Sequence, residues 1–361
     1  MKLKGAEIFG RTLLDLGVEV IFGYPGGAVI PLYDSLGTLA DKLNLVQVRH
    51  EQGAAHAADG YARATGKVGV CISTSGPGAT NLVTGIATAN FDSVPLVAFT
   101  GQVKRHLIGN DAFQEVDTCG IMRPITKHTF LVKDVRDLEA TIRNAFKVAS
   151  TGRPGPVVVD LPVDVTTDEL DDTDARDIPL RGYKPVLKGH TRQIKLAADA
   201  IDKAERPVIY AGGGVILSGA SEELRQLAET TGIPVTTTMN ALGAFPEDHP
   251  QALKMLGMHG TVSANYAIMR SDLIVAIGAR FDDRITGRLD NFAPDATIVH
   301  IDVDPTSISK NIKVHIPVVG DAKDSLTKLL KYVKHVERPE WTEQIARSEE
   351  HTSELQSPLC I

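Results

Sequence analysis

Hydrophobic residues fall along this chain in short, mostly apolar runs, separated by stretches whose apolar residues recur at helical spacing. In the first half the runs read VEVIF, LNLVQVR, KVGVCIST, VPLVAFT and GPVVVDLP. Such runs are typical of strands that are buried on both faces of a parallel sheet. The alternation predicts an α/β fold with a mostly parallel sheet between helices, and ligands of such sheets bind at the carboxyl ends of the strands.

A second alternating unit follows near residue 191. Its runs read RPVIYAGGG, IPVTTT, DLIVAIGAR, TIVHIDVDP and IPVVG, with a long loop and a helix after the second run and a last helix from Asp321 to about Val336. Residues 166–190 are acidic, then carry proline, and lack a sustained apolar period, which indicates a linker. We predict two doubly wound α/β domains, over residues 1–165 and 191–340.

Composition narrows the classes of function. The 361 residues, 43% hydrophobic and 23% charged, are enough for two domains with full cores. A net charge of −7 with scattered basic residues is unlike a nucleic-acid-binding surface, so we expect small-molecule ligands. The cysteines, which form no CxxC pair, are Cys71, Cys119 and Cys360. Their separation argues against a disulfide framework or a zinc site, and we interpret His50, His56 and His259 as packing or hydrogen-bonding groups.

The two ends of the chain differ from each other. The N-terminal stretch MKLKGAEIFGRTLLDLG contains no apolar run long enough for a signal peptide or a membrane span, so we expect a cytoplasmic protein. Near the other end, RSEEHTSELQS is polar and aperiodic, and it resembles the translation of a common sequencing adapter. We therefore expect residues 347–361 to be non-native and the natural protein to continue beyond Ala346. The alternative is a genuine disordered tail.

Glu51 is the first candidate for chemistry. It follows the run LNLVQVR directly and opens a stretch of small helix formers. The helix dipole favours a glutamate in a first helical turn whatever its function, so a structural role is the alternative. Small residues behind this strand end, however, leave room for a flat ligand. A carboxyl group at such a place suits general acid catalysis, or a strong hydrogen bond to a ring nitrogen.

Further loops lie at the predicted strand ends. GYPGGA at residues 23–28 follows VEVIF, and STSGPGATN at residues 73–81 follows KVGVCIST. Either loop alone is equally consistent with an ordinary turn, but three loops at neighbouring strand ends would form one pocket. The loop GNDAFQEVD at residues 109–117 adds Gln114, which could hydrogen-bond a keto acid or a cofactor; ordinary solvated loop polarity is the alternative.

The second half carries features of a nucleotide-binding unit. The strand, glycine turn and helix in YAGGGVILSG lack the last glycine of GxGxxG, because Leu217 stands at that position. VAIGARFDDR supplies Gly278, Arg280 and Arg284, which suit a pyrophosphate, and VHIDVDP supplies Asp302, which suits ribose hydroxyls or an adenine amine. Together these segments favour an ADP-bearing cofactor over a purely structural domain.

Longer segments carry a resemblance to a known family. They are FGYPGGAVIPLYD, RHEQGAAHAADGYARATGKVGVCISTSGPGATN, DAFQE, GRPGPVVVDLP, LGMHGT, ARFDDR and HIDVDPTSISKN. From about residue 3 to at least residue 335 the chain resembles catalytic large subunits of acetohydroxyacid synthase, also called acetolactate synthase. The resemblance implies thiamine diphosphate, Mg²⁺ and FAD as cofactors. It also implies condensation of pyruvate, after loss of CO₂, with pyruvate or 2-ketobutyrate, a step of valine, leucine and isoleucine synthesis.

The resemblance assigns roles to residues of this chain. Glu51 matches the glutamate that protonates, or strongly hydrogen-bonds, the pyrimidine nitrogen of thiamine diphosphate, and Gln114 matches a second catalytic residue. The positions that match the thiamine and substrate pocket are Tyr24, Pro25, Gly26, Gly27, Pro77 and Asn81. The positions that match FAD contacts are Arg153, Gly212, Gly213, Gly214, Thr238, Met239, His259, Gly278, Arg280, Asp282, Arg284, Asp302, Asp321 and Ala322.

Departures from the family pattern and rival interpretations complete the expectations. Lys104 stands where many relatives carry proline, and Asp302 where some carry glutamate. No segment resembles the family's third domain, which holds Mg²⁺ and the diphosphate. We therefore expect these 361 residues alone to be inactive but able to hold FAD.

The family also implies a homodimer or higher oligomer, with a possible regulatory small subunit. The alternatives are a flavin-dependent pyruvate oxidase and a non-catalytic nucleotide-binding module; Glu51 disfavours glyoxylate carboligase.

Overall fold

The computed structural model describes residues 2–171 and 174–356, with side chains as far as residue 348. The chain divides into two compact units, Met1–Tyr183 and Lys184–Ile361. Among the described residues, every helix is too short or too polar to cross a lipid bilayer. The predicted domain limits and linker stay predictions, although residues 169–171 inside that linker form a strand. Cys360 lies outside the described residues.

The first unit contains eight strands and eight helices, counted over its described residues. The strands are β1 (Lys2–Lys4), β2 (Val20–Gly23), β3 (Asn44–Gln47), β4 (Gly69–Ser73), β5 (Leu96–Gln102), β6 (His128–Leu131), β7 (Pro156–Pro162) and β8 (Glu169–Asp171). The helices are α1 (Gly5–Asp15), α2 (Ile30–Gly37), α3 (Glu51–Thr65), α4 (Pro77–Asn81), α5 (Val83–Asp92), α6 (Thr118–Met122), α7 (Leu138–Ser150) and α8 (Val163–Thr167).

Six of these strands form one parallel sheet in the order β3-β2-β4-β5-β7-β6, while β1 and β8 pair antiparallel in a separate ribbon. The order reverses between β2 and β4, because the chain leaves β2 toward β3 and then returns to the other side of β2. The loops that follow these strands therefore diverge at this edge and open a crevice, where doubly wound sheets bind ligands.

Two hydrophobic layers cover the two faces of this sheet. One layer contains α1, α2 and α7, and in it the rings of Phe9 and Phe99 meet edge to face with centroids 4.8 Å apart. The other contains α3 and α5 and is built largely from small residues such as Ala54, Ala55 and Ala58. The small side chains let these helices approach the sheet closely, so the alanine-rich stretch after Glu51 forms core.

The second unit contains six strands and seven helices over its described residues. The strands are β9 (Pro207–Ala211), β10 (Val235–Thr237), β11 (Ala252–Met255), β12 (Leu273–Ile277), β13 (Thr297–Asp302) and β14 (Ile316–Val319). The helices are α9 (Thr191–Lys203), α10 (Gly214–Leu217), α11 (Ser221–Thr231), α12 (Val262–Arg270), α13 (Asp283–Thr286), α14 (Ala322–Leu329) and α15 (Pro339–Gln356).

These six strands form a parallel sheet in the order β11-β10-β9-β12-β13-β14. This is the strand order of dinucleotide-binding folds, with its reversal between β9 and β12. The prediction of an α/β fold with two mostly parallel sheets is confirmed.

Four local features differ from the expectations. The sequence patterns did not predict β6, and β11 lies in what they indicated was a long loop. Both are short edge strands, and β11 also has a register shift and a left-handed residue, Lys254, which break its alternation. The last helix of the second sheet spans Ala322–Leu329 rather than reaching Val336. The aperiodic stretch from residue 347 is helical as far as Gln356, and its residues 357–361 lie outside the described residues.

Candidate functional site

The loops after β2, β3 and β4 meet at the crevice of the first sheet. The Ala28 backbone N–H donates to Thr74 Oγ1 at 3.3 Å, which ties the first loop to the third. Gly26 allows this approach, because a Cβ atom there would lie 2.5 Å from Thr74 Cβ. The expectation that the three loops come together is met, while ligand contacts of Tyr24, Pro25 and Gly27 stay predictions.

Glu51 is the first residue of α3 and is 8% exposed. Its N-cap, His50, has an extended backbone, and His50 Nδ1 accepts from the Gln52 backbone N–H at 3.1 Å. The carboxylate accepts a hydrogen bond at Oε2 from Asn81 Nδ2 at 2.9 Å. The helix start is thus satisfied by His50, so Glu51 is not needed as its cap.

A glycine borders the second carboxylate oxygen of Glu51. A Cβ at Gly78 would lie 3.3 Å from Glu51 Oε1. The hydroxyl of Tyr33 in α2 is buried and has no hydrogen-bond partner among the described residues. Burial, followed by the charges of Cys71 and Glu51, raises the pKa of Tyr33. A carboxyl oxygen bordered by a glycine and an unpaired hydroxyl near it fit a polar ring ligand.

Gln114 is placed beside this crevice by its backbone. It has a left-handed φ of +58°, and a Cβ at Gly76 would lie 2.6 Å from its carbonyl oxygen. Its side chain is exposed. The neighbouring Glu115 closes the loop by accepting from the backbone N–H groups of Gly109 and Ala112, which lowers the pKa of Glu115. Glu115 therefore stabilises the loop that carries Gln114. The catalytic role of Gln114 stays a prediction.

Sequence patterns missed one buried acid in the first unit. Asp160 lies in β7, is 2% exposed, and accepts from Thr100 Oγ1 at 2.6 Å and from Gln102 Nε2 at 3.0 Å. Burial raises the pKa of Asp160 to about 7, and the charge of Asp117 also raises it. The hydrogen bonds from Thr100 and Gln102 lower the pKa and offset part of this rise. A polar residue inside the run GPVVVDLP was the available signal, because an unpaired acid is costly in a strand buried on both faces.

Two other predicted positions of the first unit lie away from Glu51's contacts. Arg153 Nε donates to Ser93 Oγ at 2.8 Å, and Ser93 ends α5 in the left-handed conformation. Lys104 is exposed and begins a short turn before Arg105. Arg105 itself binds Asp164 at 2.9 Å and Asp168 at 2.6 Å. Among the positions predicted to contact FAD, Arg153 is the one that lies in the first unit. Its flavin contact stays a prediction.

The glycine turns of the second unit face each other at the reversal between β9 and β12. The Gly212 N–H donates to Ile277 O at 2.8 Å, and the Gly214 N–H donates to Gly278 O at 3.1 Å. A Cβ at Gly212 would lie 2.1 Å from Gly278 O, and a Cβ at Gly278, whose φ is +58°, would lie 2.6 Å from Gly214 Cα. These glycines are required by backbone contact between the two turns, which the spacing of the sequence could not reveal.

The remaining positions predicted at FAD surround the same edge. Thr238 Oγ1 is buried with no partner among the described residues, whereas Met239 is 66% exposed. The Asp282 side chain caps α13 by accepting from the Arg284 N–H at 2.9 Å. The predicted positions of this unit that are exposed or half-buried are Gly213, His259, Arg280 and Arg284.

Two aspartates lie together at the ends of β13 and β14. Asp302 is 8% exposed and accepts from the Asp304 N–H at 2.8 Å, while its own carbonyl accepts from the Gly320 N–H at 2.9 Å. Asp321 caps α14 by accepting from the Asp324 N–H at 3.1 Å, and buried Ala322 begins that helix. Both carboxylates support local turns, so their flavin contacts stay predictions.

Comparison with known proteins decides the family. Residues 3–121 match the model described as the thiamine pyrophosphate enzyme N-terminal TPP binding domain. Residues 194–329 match the thiamine pyrophosphate enzyme central domain. The chain belongs to the thiamine pyrophosphate enzymes. Each of its two structural units therefore contains one of the two matched domains.

Relatives within the thiamine pyrophosphate enzymes are similar over nearly the whole chain. The probable acetolactate synthase large subunit of Methanocaldococcus jannaschii is 56% identical over 350 residues, which are 95% of this chain and 59% of that protein. The acetolactate synthase large subunit of Corynebacterium glutamicum is 56% identical over 333 residues, 92% of this chain and 53% of that protein. The chain spans just over half the length of the curated relatives it matches. The resemblance stated from the sequence is confirmed.

The residues of this thiamine pyrophosphate enzyme fit their predicted cofactors to different extents. Glu51 Oε1 beside Gly78 and the unpaired Tyr33 hydroxyl fit a thiamine ring, and the facing glycine turns with the unpaired Thr238 hydroxyl fit a dinucleotide. For Mg²⁺, the described residues contain no group of three or more His, Cys, Asp or Glu side chains arranged to hold a metal ion.

Proposed function

We propose that this chain carries the thiamine-binding and flavin-binding domains of an acetolactate synthase catalytic subunit. The single observation that supports this most is Glu51, buried at the crevice and held by Asn81 through Oε2, with Oε1 beside Gly78. It lies within the matched TPP binding domain. Acetolactate synthases with 56% identity include this domain in their aligned part, which supports the choice among thiamine pyrophosphate enzymes.

In the proposed mechanism the chain supplies a positioned acid. Thiamine diphosphate, when bound, supplies the nucleophilic carbon that removes CO₂ from one keto acid and joins the remaining two carbons to a second. Glu51 Oε1 would share a proton with the pyrimidine nitrogen, while Asn81 keeps the carboxyl group in place through Oε2. Glu51 is 8% exposed, and its burial would strengthen this hydrogen bond.

The other partners follow from the same proposal. The turns of Gly212 and Gly278, with Thr238, would hold FAD, which serves structure because the condensation transfers no net electrons. The Mg²⁺ ligands would come from outside these 361 residues. Pyruvate and 2-ketobutyrate would be the substrates, in a cytoplasmic homodimer or higher oligomer that can bind a regulatory subunit.

An assay of the full-length protein tests this function. With pyruvate, thiamine diphosphate, Mg²⁺ and FAD we expect acetolactate and CO₂, and no product when thiamine diphosphate is omitted. The 361 residues alone should give no product but should retain FAD. Reduction of the flavin by pyruvate without acetolactate would instead identify an oxidase and contradict the proposal.

A further inference from the structure

A buried amide lies near the carboxyl end of the first sheet, outside the contacts of Glu51. Gln102 is the last residue of β5 and is 2% exposed, like Asp160 on the adjacent strand β7. The strand register pairs Thr100 with Asp160. Because side chains two residues apart share a face of a sheet, Gln102 and Asp160 are diagonal neighbours on one face.

Three partners fix the orientation of the Gln102 side-chain amide. Its Nε2 donates to Asp160 Oδ2 at 3.0 Å and to the Val116 carbonyl at 2.9 Å. Its Oε1 accepts from the Val103 N–H at 2.9 Å. A carboxylate and a carbonyl can only accept, and a backbone N–H can only donate, so a flipped amide would lose all three bonds. The nitrogen therefore faces the chain segment that ends at Val116.

That segment is the loop of residues 109–117, which carries Gln114. The Glu115 carboxylate accepts hydrogen bonds from the backbone N–H groups of Gly109 and Ala112, and these bonds hold the loop together. Val116 lies at its end, where the bond from Gln102 ties it to the sheet. On the other side the Gln114 carbonyl lies against Gly76, in the turn that precedes α4. The hydrogen bond from Gln102 thus fixes the position of this loop relative to the crevice.

We propose that Gln102 is a positioning residue, oriented by Asp160, that fixes the loop of residues 109–117 and thereby the place of Gln114 beside the turn at Gly76. Gln102 acts through this loop and not through contact with the substrate. The effect on catalysis rests on the proposed function, in which Gln114 hydrogen-bonds the keto acid. The effect on the loop does not rest on it.

Hydrogen exchange in the 361-residue chain tests the effect on the loop. Gln102→Met keeps the volume but removes all three hydrogen bonds, so exchange of the loop amides should rise about tenfold. Asp160→Asn retains one acceptor oxygen for Gln102 and should leave loop exchange unchanged. Thr12→Val is the matched control, because it removes a buried hydrogen bond of 2.7 Å to the Ile8 carbonyl in the other hydrophobic layer.

Kinetics of the full-length protein test the effect on catalysis. Gln102→Met should raise KM for pyruvate about tenfold with a smaller change in kcat, because a displaced Gln114 loses binding in both ground and transition states. Asp160→Asn and Thr12→Val should keep the wild-type KM. Should Gln102→Met fail to fold, Gln102→Asn replaces it, since its shorter amide keeps polarity but does not reach the Val116 carbonyl.

The outcomes separate this inference from the proposed function. Unchanged loop exchange in Gln102→Met overturns the positioning role, whatever the activity. Faster exchange with an unchanged KM, in a wild type that forms acetolactate, also overturns it while the proposed function stands. A wild type that forms no acetolactate contradicts the proposed function, and the exchange experiment then decides the role of Gln102 by itself.

Discussion

Two buried carboxyl groups of the first unit have opposite surroundings. Asp160 receives hydrogen bonds from both Thr100 and Gln102, so its two oxygens are satisfied within the protein. Glu51 receives a bond from Asn81 at Oε2, and its Oε1 lies beside Gly78. A buried acid with both oxygens satisfied is typical of a structural role, whereas one with an oxygen left for a partner is typical of a ligand site.

Glu51→Gln in the full-length protein should fold normally and lose about 10²–10⁴-fold in acetolactate formation, because an amide cannot exchange the proton. The matched control is Gln52→Ala, the exposed neighbour in the same first turn, which should keep its activity. Circular dichroism checks the fold of both variants. Wild-type turnover in Glu51→Gln would refute the role given to the carboxyl group.

Asp160 should make stability depend on pH. Because folding raises its pKa to about 7, the folded chain binds more protons than the unfolded chain between its ordinary value and 7, and stability falls as pH rises through that range. Burial, followed by the charge of Asp160, raises the pKa of Cys119 to about 11, and the charge of Asp117 acts on Asp160.

The variant Asp160→Asn removes this pH dependence. The difference in free energy of unfolding between the variant and the wild type should be larger at about pH 8 than at about pH 5, by about 1–3 kcal/mol in favour of the variant. Calorimetry of both proteins at the two pH values measures the difference. Equal differences at both values would show that the carboxyl group is not titrating in the folded chain.

Helix packing decides which small residues of α3 and α5 belong to the core. Helices α3 and α5 lie in one layer, and a Cβ at Gly85 would stand 2.4 Å from Ala55 Cβ. Gly60 on α3 is exposed, and a Cβ there would meet nothing within 4 Å. Glycines on adjacent helices therefore have different functions, and only their neighbours reveal which.

These two glycines give a paired prediction. Gly85→Ala should destabilise the first unit by about 1–3 kcal/mol, because the added methyl group overpacks the contact with α3. Gly60→Ala should stabilise it by about 0.5–1 kcal/mol, because alanine has less backbone freedom to lose on folding. Urea unfolding measures both changes. A stabilising Gly85→Ala would contradict the close approach of these helices.

At the scale of the whole chain, two doubly wound sheets each present a strand-order reversal, and the candidate residues concentrate at both. In the first unit the reversal lies between β2 and β4, beside Glu51; in the second it lies between β9 and β12, where Gly214 and Gly278 meet. The same feature of the fold thus carries both proposed sites, one for a thiamine ring and one for a dinucleotide.

Flavin retention tests the second site. Gly278→Ala should lose most bound FAD, because the methyl group strains a φ of +58° and also collides with Gly214. Gly287→Ala is the matched control: its φ is +55°, but a Cβ there would meet nothing within 4 Å. Flavin absorbance of the purified chains measures occupancy, and circular dichroism checks folding. Equal retention in the two variants would show that contact between the turns is not needed for FAD.

The sequence determined the fold class. Continuous apolar runs identify buried strands, and a glutamate directly after one of them lies at the carboxyl edge wherever the sheet order places it. The family followed from long motifs. The edge strands β6 and β11 did not, because a short strand with one neighbour needs little apolar pattern.

Only the tertiary structure decided which residues meet. The bond from Asn81 to Glu51, the closing of the loop by Glu115, and the network of Asp160 with Gln102 join residues far apart in sequence or depend on local backbone shape. Hydrophobic period is a property of neighbours along the chain, whereas hydrogen-bond partners depend on strand order and register. The sequence therefore specified which groups are present, and folding determined which of them are paired and which face open space.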